Sequence, residues 1–202
     1  MSCIILDKAV MAQTQNSTNN TYPLQSSNNS LLVQQQLKER FPTYRNPSLG
    51  ITIDYPPNWG LPSENSRSVT FSAPVLNTSD TFQENLRITV QPSTNRALDD
   101  FVNNDTNSYR DGYKDFKLLN KSTNTNNPLV KTNLGETIHQ TGEVVYKYRD
   151  QKGQEYIIRK IFAINDDKIY TLTYSAKASE YANYLSSVNE MINSFKLIHF
   201  FL

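Results

Sequence analysis

Two consecutive hairpins between residues 136 and 175 constrain the fold of this chain more than any other feature of its sequence. The long stretches 136–149 and 154–164 flank a turn cluster at 150–153, whose glycine can adopt a positive φ. A second turn, Asn-Asp-Asp at 165–167, leads back into the stretch 168–175. Because short polar turns between extended stretches connect antiparallel neighbours, the pattern predicts three strands side by side in one sheet.

The middle strand of this trio reads YIIRKIFAI and is apolar at almost every position except Arg159 and Lys160. A strand of this kind is buried or nearly buried on both faces. The strongest helical periodicity in the chain follows the last of the three strands, and this helix is expected to cross the same sheet. Its apolar stripe covers about five turns and consists of Ala178, Tyr181, Ala182, Leu185, Val188, Ile192 and Phe195. Residues 196–202 are apolar enough to add a short strand or to contact a partner.

A second helix is predicted between Ala97 and Gly112, with Thr94 or Asn95 as its N-cap. Its apolar positions at helical spacing are Leu98, Phe101, Val102 and Tyr109. The opposite face is polar, so this helix is expected to lie on a sheet and to expose that face to water.

Short alternating stretches precede this helix at 50–55, 68–73 and 85–91, and they predict three strands arranged as a meander. A further strand is predicted around Phe116 and Leu118. The expected fold is therefore α+β, an antiparallel sheet of about six to seven strands with one inserted helix and one C-terminal helix.

Two stretches, near the two ends of the predicted domain, carry recognisable patterns of residues. The first is YRNPSLGITIDYPPNW, where the pattern consists of Asn46, Pro47, Gly50, Tyr55, Pro56 and Trp59. The second is AINDDKIYTLTYSAKASEYANYLSSVNEMINSFKL, where it consists of Asp167, Lys168, Tyr170, Leu172, Tyr174, Ala176, Tyr181, Ser194 and Phe195. In this order and at this separation, the two patterns resemble the opening and the ending of the PsbP family. The middle of the chain agrees in layout only.

The resemblance implies an α/β/α sandwich with a central antiparallel sheet, here spanning residues 41–202. The best-known PsbP proteins are lumenal subunits of photosystem II that help to retain calcium and chloride. In its Asn- and Ser-rich lead segment the chain is most similar to PsbP-like proteins of ammonia-oxidising archaea, which have no photosystem. The resemblance therefore implies that the chain shares the fold of the family but not its photosynthetic role.

The N-terminal part divides into two segments. Residues 1–12 resemble the remnant of a secretory signal, because Val10 and Ala12 occupy the positions that a signal peptidase reads; a cytoplasmic N-terminus is the alternative. Residues 13–40 are rich in Asn, Ser and Gln and are expected to be disordered, apart from a short helix over 31–41. Glycosylation sequons begin at Asn16, Asn19, Asn28, Asn77, Asn104 and Asn120.

Composition excludes several classes of function. The net charge is +1, which gives no reason to expect nucleic acid, and no apolar stretch is long enough to span a membrane. Cys3 is the only cysteine, so an intramolecular disulfide and a cysteine metal cluster are both excluded. His139 has no visible catalytic partner, and no phosphate loop, nucleophile elbow or zinc motif is present, so the chain is predicted to be non-enzymatic.

Adjacent carboxylates at Asp99-Asp100 and Asp166-Asp167 are weak candidates for a metal site of the calcium type. Each pair also has a structural explanation. Asp166 and Asp167 suit a hairpin turn, and Asp99 and Asp100 suit the first turn of a helix. No cofactor is predicted, and calcium rests on the family resemblance alone.

The tyrosines are the least ordinary feature of the composition, with 12 in the chain. Tyr146, Tyr148, Tyr156, Tyr170 and Tyr174 could line a recognition face or complete a sheet face beneath the helices. Tyr55 and Trp59 pose the same choice between an aromatic clamp and the core, with Trp59 as a lid over the end of the sheet.

Two functions from different classes remain. The first is a non-enzymatic module outside the cytoplasm, a monomer that binds a protein partner at a membrane or envelope complex. The second is a carrier of a small ligand or metal that uses a cleft between sheet and helix.

Overall fold

The computed structural model describes residues 41–75, 80–123, 131–132 and 140–198. These residues form eleven strands and two α-helices. The strands are β1 (Thr43–Asn46), β2 (Ile51–Asp54), β3 (Ser63–Asn65), β4 (Ser68–Ser72), β5 (Asn85–Pro92), β6 (Lys114–Ser122), β7 (Lys131–Thr132), β8 (Gln140–Arg149), β9 (Glu155–Asn165), β10 (Lys168–Lys177) and β11 (Lys196–Leu197). The helices are α1 (Leu98–Gly112) and α2 (Tyr181–Ser194).

Seven strands form the main sheet, in the order β3-β4-β5-β10-β9-β8-β6, with every neighbouring pair antiparallel. The two predicted hairpins are confirmed, since β8 pairs with β9 and β9 with β10. Their turns use left-handed backbone at Gly153 (φ 84°) and at Asp166 (φ 54°), where glycine and aspartate tolerate it.

Each face of the main sheet carries its own core and its own helix. Side chains alternate along β9, so Ile161 packs in the core beneath α2 while Phe162 packs in the core beneath α1. The two basic side chains of this strand also point to opposite faces of the sheet. Arg159 Nε lies 2.6 Å from Glu143 Oε1 on one face, and Lys160 forms an ion pair with Asp105 of α1 on the other. The α+β sandwich is therefore as predicted.

A smaller sheet, in the order β1-β2-β11-β7, packs its apolar residues into the α2 core. The predicted C-terminal strand is present as β11, which pairs with β2 at Lys196↔Thr52 and Leu197↔Ile51. The predicted meander is wrong in its first member. β4 and β5 do pair, but β2 pairs with β1 and β11, because the short strand β3 takes the place beside β4.

Both helices differ from expectation at their first turns. α1 has Ala97 at its N-cap without a side-chain cap, because Thr94 and Asn95 adopt left-handed φ in the turn before it. α2 begins at Tyr181, so it has 14 residues and Ala178 lies in the preceding turn. Ala182 is exposed, and Met191 takes a buried place that the predicted stripe did not include.

Several predictions fall outside the described residues. They are the signal remnant at 1–12, the segment 13–40 with the helix over 31–41, His139, residues 199–202 and the sequons at Asn16, Asn19, Asn28 and Asn77. The other two sequon asparagines, Asn104 on α1 and Asn120 on β6, are exposed. Of the described helices, neither is long and apolar enough to cross a membrane.

Candidate functional site

Helix α1 covers only half of the sheet face on which it lies. Beneath it, β8 and β9 present apolar side chains, among them Val144, Tyr146, Ile158 and Phe162. The other half, formed by β4, β5 and β10, turns mostly polar side chains to the same side, apart from Ile169 of β10, which packs in the core beneath α1. The polar residues are Ser68, Thr70, Ser72, Asn85, Arg87, Thr89, Gln91, Thr171, Thr173 and Ser175. Because α1 does not cover the polar half, a groove runs between the side of the helix and these strands.

The groove between α1 and the polar half has a volume of about 560 Å³. Strands β5 and β10 form its floor, and Phe101, Asn104, Asp105, Ser108 and Tyr109 of α1 form its wall. A second hollow of about 330 Å³ continues it across β5 and shares Arg87, Thr89 and Gln91 with it. Both volumes fall in or near the range of small-molecule sites.

Four charged residues line the groove: Arg87, Arg96, Asp105 and Lys160. The Arg87 guanidinium lies 3.1 Å from Ser68 Oγ, to which it donates, and Arg96 lies 4.0 Å from the centre of the Phe101 ring. Within the described part of the chain, neither arginine has an acidic partner. The groove therefore keeps two uncompensated positive charges, because Lys160 is balanced by Asp105.

The Lys160–Asp105 pair is the buried end of the groove. Lys160 is 8% exposed, its ammonium lies 4.8 Å from the centre of the Tyr109 ring, and Tyr146 donates a hydrogen bond of 3.2 Å to Asp105. Burial raises the pKa of Tyr146, and the Asp105 carboxylate raises it further, so this phenol keeps its proton. The contacts fix the wall of the groove by holding α1 to the sheet.

The predicted tyrosine face is divided between the two sides of the sheet. Tyr148 and Tyr156 stack at 5.5 Å between ring centres and continue, through Tyr109 and Tyr113, a half-buried row of rings on the α1 side. Burial raises the pKa of Tyr148, and the neighbouring ring of Tyr109 contributes to the rise.

The remaining recognition candidates lie on the α2 side. Trp59, Tyr170 and Tyr174 are buried there, and Tyr55 is half-buried against Phe71 at 5.1 Å between ring centres. Trp59 packs edge-on to Tyr184 of α2 at 6.0 Å, the placement expected of a lid over the core. A recognition role for these four residues stays a prediction.

The two aspartate pairs named as metal candidates lie in the hairpin turn and in the first helical turn that the sequence predicted for them. Asp166 and Asp167 are exposed in the turn between β9 and β10, and Asp99 and Asp100 are exposed in the first turn of α1. Within the described residues, no three His, Cys, Asp or Glu side chains come together as a metal site would require.

A second surface lies on the other side of α1, at strand β6. This strand is the edge of the seven-stranded sheet among the described strands, and almost all of its side chains are exposed. Leu118 and Leu119 are 38% and 47% exposed, and Tyr113 just before the strand is 40% exposed. Lys114, Lys117 and Lys121 lie before and after the two leucines along the strand and are exposed. We call this group of six residues the β6 patch.

The sequence suggested a cleft between sheet and helix, but the residues that line the groove were missed because the prediction considered only the buried positions of each strand. The outward positions of β5, from Asn85 to Gln91, are uniformly polar, and so are those of β10 at Thr171, Thr173 and Ser175. The polar character of both strands is visible in the sequence. Their pairing is not, because 75 residues separate Pro92 of β5 from Lys168 of β10.

The described part of the chain is an α/β/α sandwich with a polar groove beside α1. The family model of PsbP matches residues 39–197, and the chain belongs to the PsbP family. No curated protein matches the sequence.

Solved structures share the fold at low identity. PsbP of Synechocystis sp. PCC 6803 (CyanoP) has 14% identity and a TM-score of 0.51, covering 79% of this chain and 93% of its own. LpqN of Mycobacterium tuberculosis, described as involved in cell envelope biogenesis, has 10% identity and a TM-score of 0.52, covering 73% and 82%. PA94 of Pseudomonas aeruginosa, a protein of unknown function, has 14% identity and a TM-score of 0.50, covering 76% and 94%.

Proposed function

We propose that this chain is a non-enzymatic PsbP-like binding module that acts outside the cytoplasm, as a monomer, on a protein partner at a membrane or cell-envelope complex. The family membership supports a binding module. An extracytoplasmic place is supported by the description of LpqN in envelope biogenesis. None of the three solved structures compared above is described as an enzyme.

The β6 patch is the observation that carries this proposal. Leu118 and Leu119 expose apolar surface on an edge strand, and Tyr113 does so just before it, in a chain whose hydrophobic fraction is only 37%. Exposed apolar residues flanked by charged ones are typical of a surface that binds a partner. The three lysines protect the edge against self-pairing and favour a partner that presents acidic groups.

The test is a double substitution, Leu118→Ser with Leu119→Ser, in the full chain. We expect the variant to be retained by native membranes at least about tenfold less than the parent, because the two leucines lose apolar contact worth more than 1.4 kcal/mol together. Co-sedimentation measures retention, and crosslinking from introduced photoreactive groups identifies the partner.

Leu61→Ser is the matched control, since Leu61 is 92% exposed and lies outside the β6 patch. It should be retained like the parent. Equal retention of the double variant and the parent would show that the patch does not bind the partner. Recovery of the parent chain only in the cytosolic fraction would contradict the extracytoplasmic location.

A further inference from the structure

We propose that the groove between α1 and strands β5 and β10 binds a small polar molecule that carries a carboxylate or phosphate group, held by Arg87 and Arg96. This site is separate from the β6 patch, because the main sheet places β5 and β10 on one side of β8 and β9 and places β6 on the other.

The charge of the groove selects the sign of the ligand. Two guanidinium groups line one concave surface, and the acidic residue beside them, Asp105, is already paired with Lys160. An uncompensated pair of arginines in a groove attracts an anion and excludes a metal cation. A calcium-type ligand, which the sequence left open for a cleft of this kind, would meet repulsion here.

The arginines are also held in position and still have free donors. Arg87 uses one N–H to reach Ser68 Oγ, which leaves the other donors of its guanidinium for a ligand. Arg96 stacks on Phe101, and a stacked guanidinium presents its edge for paired hydrogen bonds. Carboxylate and phosphate oxygens match that edge geometrically.

The side chains on the floor of the groove indicate which other polar groups the ligand carries. Thr89, Thr171, Thr173 and Ser175 offer hydroxyl groups, and Asn85 and Gln91 offer amides. Such groups can donate to and accept from a hydroxylated ligand. A volume of about 560 Å³ suits a molecule of metabolite size, and the rings of Phe101 and Tyr109 give the wall an apolar surface for its carbon skeleton.

The experiment is calorimetric titration of the full chain with citrate and with inorganic phosphate, each against sodium chloride of equal ionic strength. We expect saturable heat with citrate, phosphate or both, and the arm that binds more tightly identifies the anionic group. Arg87→Gln and Arg96→Gln should each weaken binding at least about tenfold, because each removes a charge-assisted hydrogen bond.

Arg110→Gln is the matched control. Arg110 is an exposed arginine of α1 that, like Arg96, lies over a phenylalanine ring (5.6 Å from the centre of Phe116), but it does not line the groove. It should bind like the parent. No saturable heat with either anion would overturn the proposal, and so would an equal loss in Arg110→Gln. Unchanged thermal midpoints without ligand establish that the variants fold. Because this test does not involve membranes or the β6 patch, its failure is distinguishable from failure of the proposed function.

Discussion

Gly142 of β8 lies directly against helix α1. A Cβ atom at this position would lie 3.2 Å from Val102 Cγ2, 3.2 Å from the Ser122 carbonyl oxygen and 3.4 Å from Leu98 Cδ2. Two of these neighbours belong to the helix and one to the adjacent strand, so no single flexible side chain can yield. The absence of a side chain here sets the distance between the helix and the strand.

We therefore predict that Gly142→Ala destabilises the fold by about 1–3 kcal/mol, because the added methyl group overpacks this contact. Gly112→Ala is the control, since a Cβ at Gly112 meets nothing within 4 Å and alanine favours the helix. Urea unfolding measures both variants. Equal stability of the parent and Gly142→Ala would show that the helix shifts without cost.

Single residues were predictable from the sequence where one alternating pattern decided them. In the alternating stretches at 50–55, 68–73 and 85–91, the apolar positions Ile51, Ile53, Val69, Phe71, Leu86 and Ile88 are buried, and Tyr55 and Val90 are half-buried. The position of Arg87 was beyond such reasoning. Arg87 lines the groove because β5 pairs with β10, which places it beside Thr173, and because α1 leaves this part of the sheet uncovered.

At the scale of elements, a serine fastens the end of α2 to the small sheet. Ser194 Oγ accepts a hydrogen bond of 2.9 Å from the backbone N–H of Asp54 and lies 2.8 Å from the Met191 carbonyl oxygen, to which it donates. One hydroxyl therefore provides a hydrogen-bond partner both for the backbone N–H at the end of β2 and for a carbonyl oxygen in the last turn of α2.

Ser194→Ala is expected to cost about 1–2 kcal/mol, because it leaves a partly buried backbone N–H without its acceptor. Ser186→Ala on the exposed face of the same helix should change stability by less than about 0.5 kcal/mol. Chemical denaturation compares the two. Indistinguishable midpoints for both alanine variants would show that water replaces the hydroxyl without loss.

Most elements could be located from the sequence, but their partners could not all be assigned. Periodicity found both helices and the three strands of the two hairpins, because each pattern is local. The meander was wrong because β2 finds its second neighbour in β11, at the far end of the domain. The cap of α1 was wrong, since Thr94 and Asn95 form a turn of their own, and α2 begins at Tyr181 and not at Ala178.

At the scale of the whole molecule, buried tyrosines connect stability to alkaline pH. Tyr146 and Tyr174 are fully buried, one in each core. Burial raises the pKa of both phenols above the value of about 10 that tyrosine has in an unfolded chain. Above that pH the unfolded chain loses protons that the folded chain keeps, so the folded state loses stability as pH rises and is unaffected below it.

We predict that the free energy of unfolding falls as pH rises above about 10, by up to about 1.4 kcal/mol per pH unit for each such tyrosine. Tyr174→Phe should lower stability at neutral pH, because Tyr174 donates a 2.8 Å hydrogen bond to the Tyr181 carbonyl, yet it should lessen the alkaline slope. Urea titrations at several pH values measure the slope. A variant slope equal to that of the parent would contradict the assignment.

The small sheet brings the first described strands of the domain beside its last. Asp54 and Ser194, which are hydrogen-bonded to each other, are 140 residues apart. A ribosome working at about 5–20 residues per second takes roughly 7–30 s to synthesise that span. During this interval β2 has only β1 to pair with, and a lone two-stranded hairpin is marginally stable in water. Ile51 and Ile53, fully buried in the finished fold, are then exposed on the nascent chain, where a chaperone that binds apolar segments would find them.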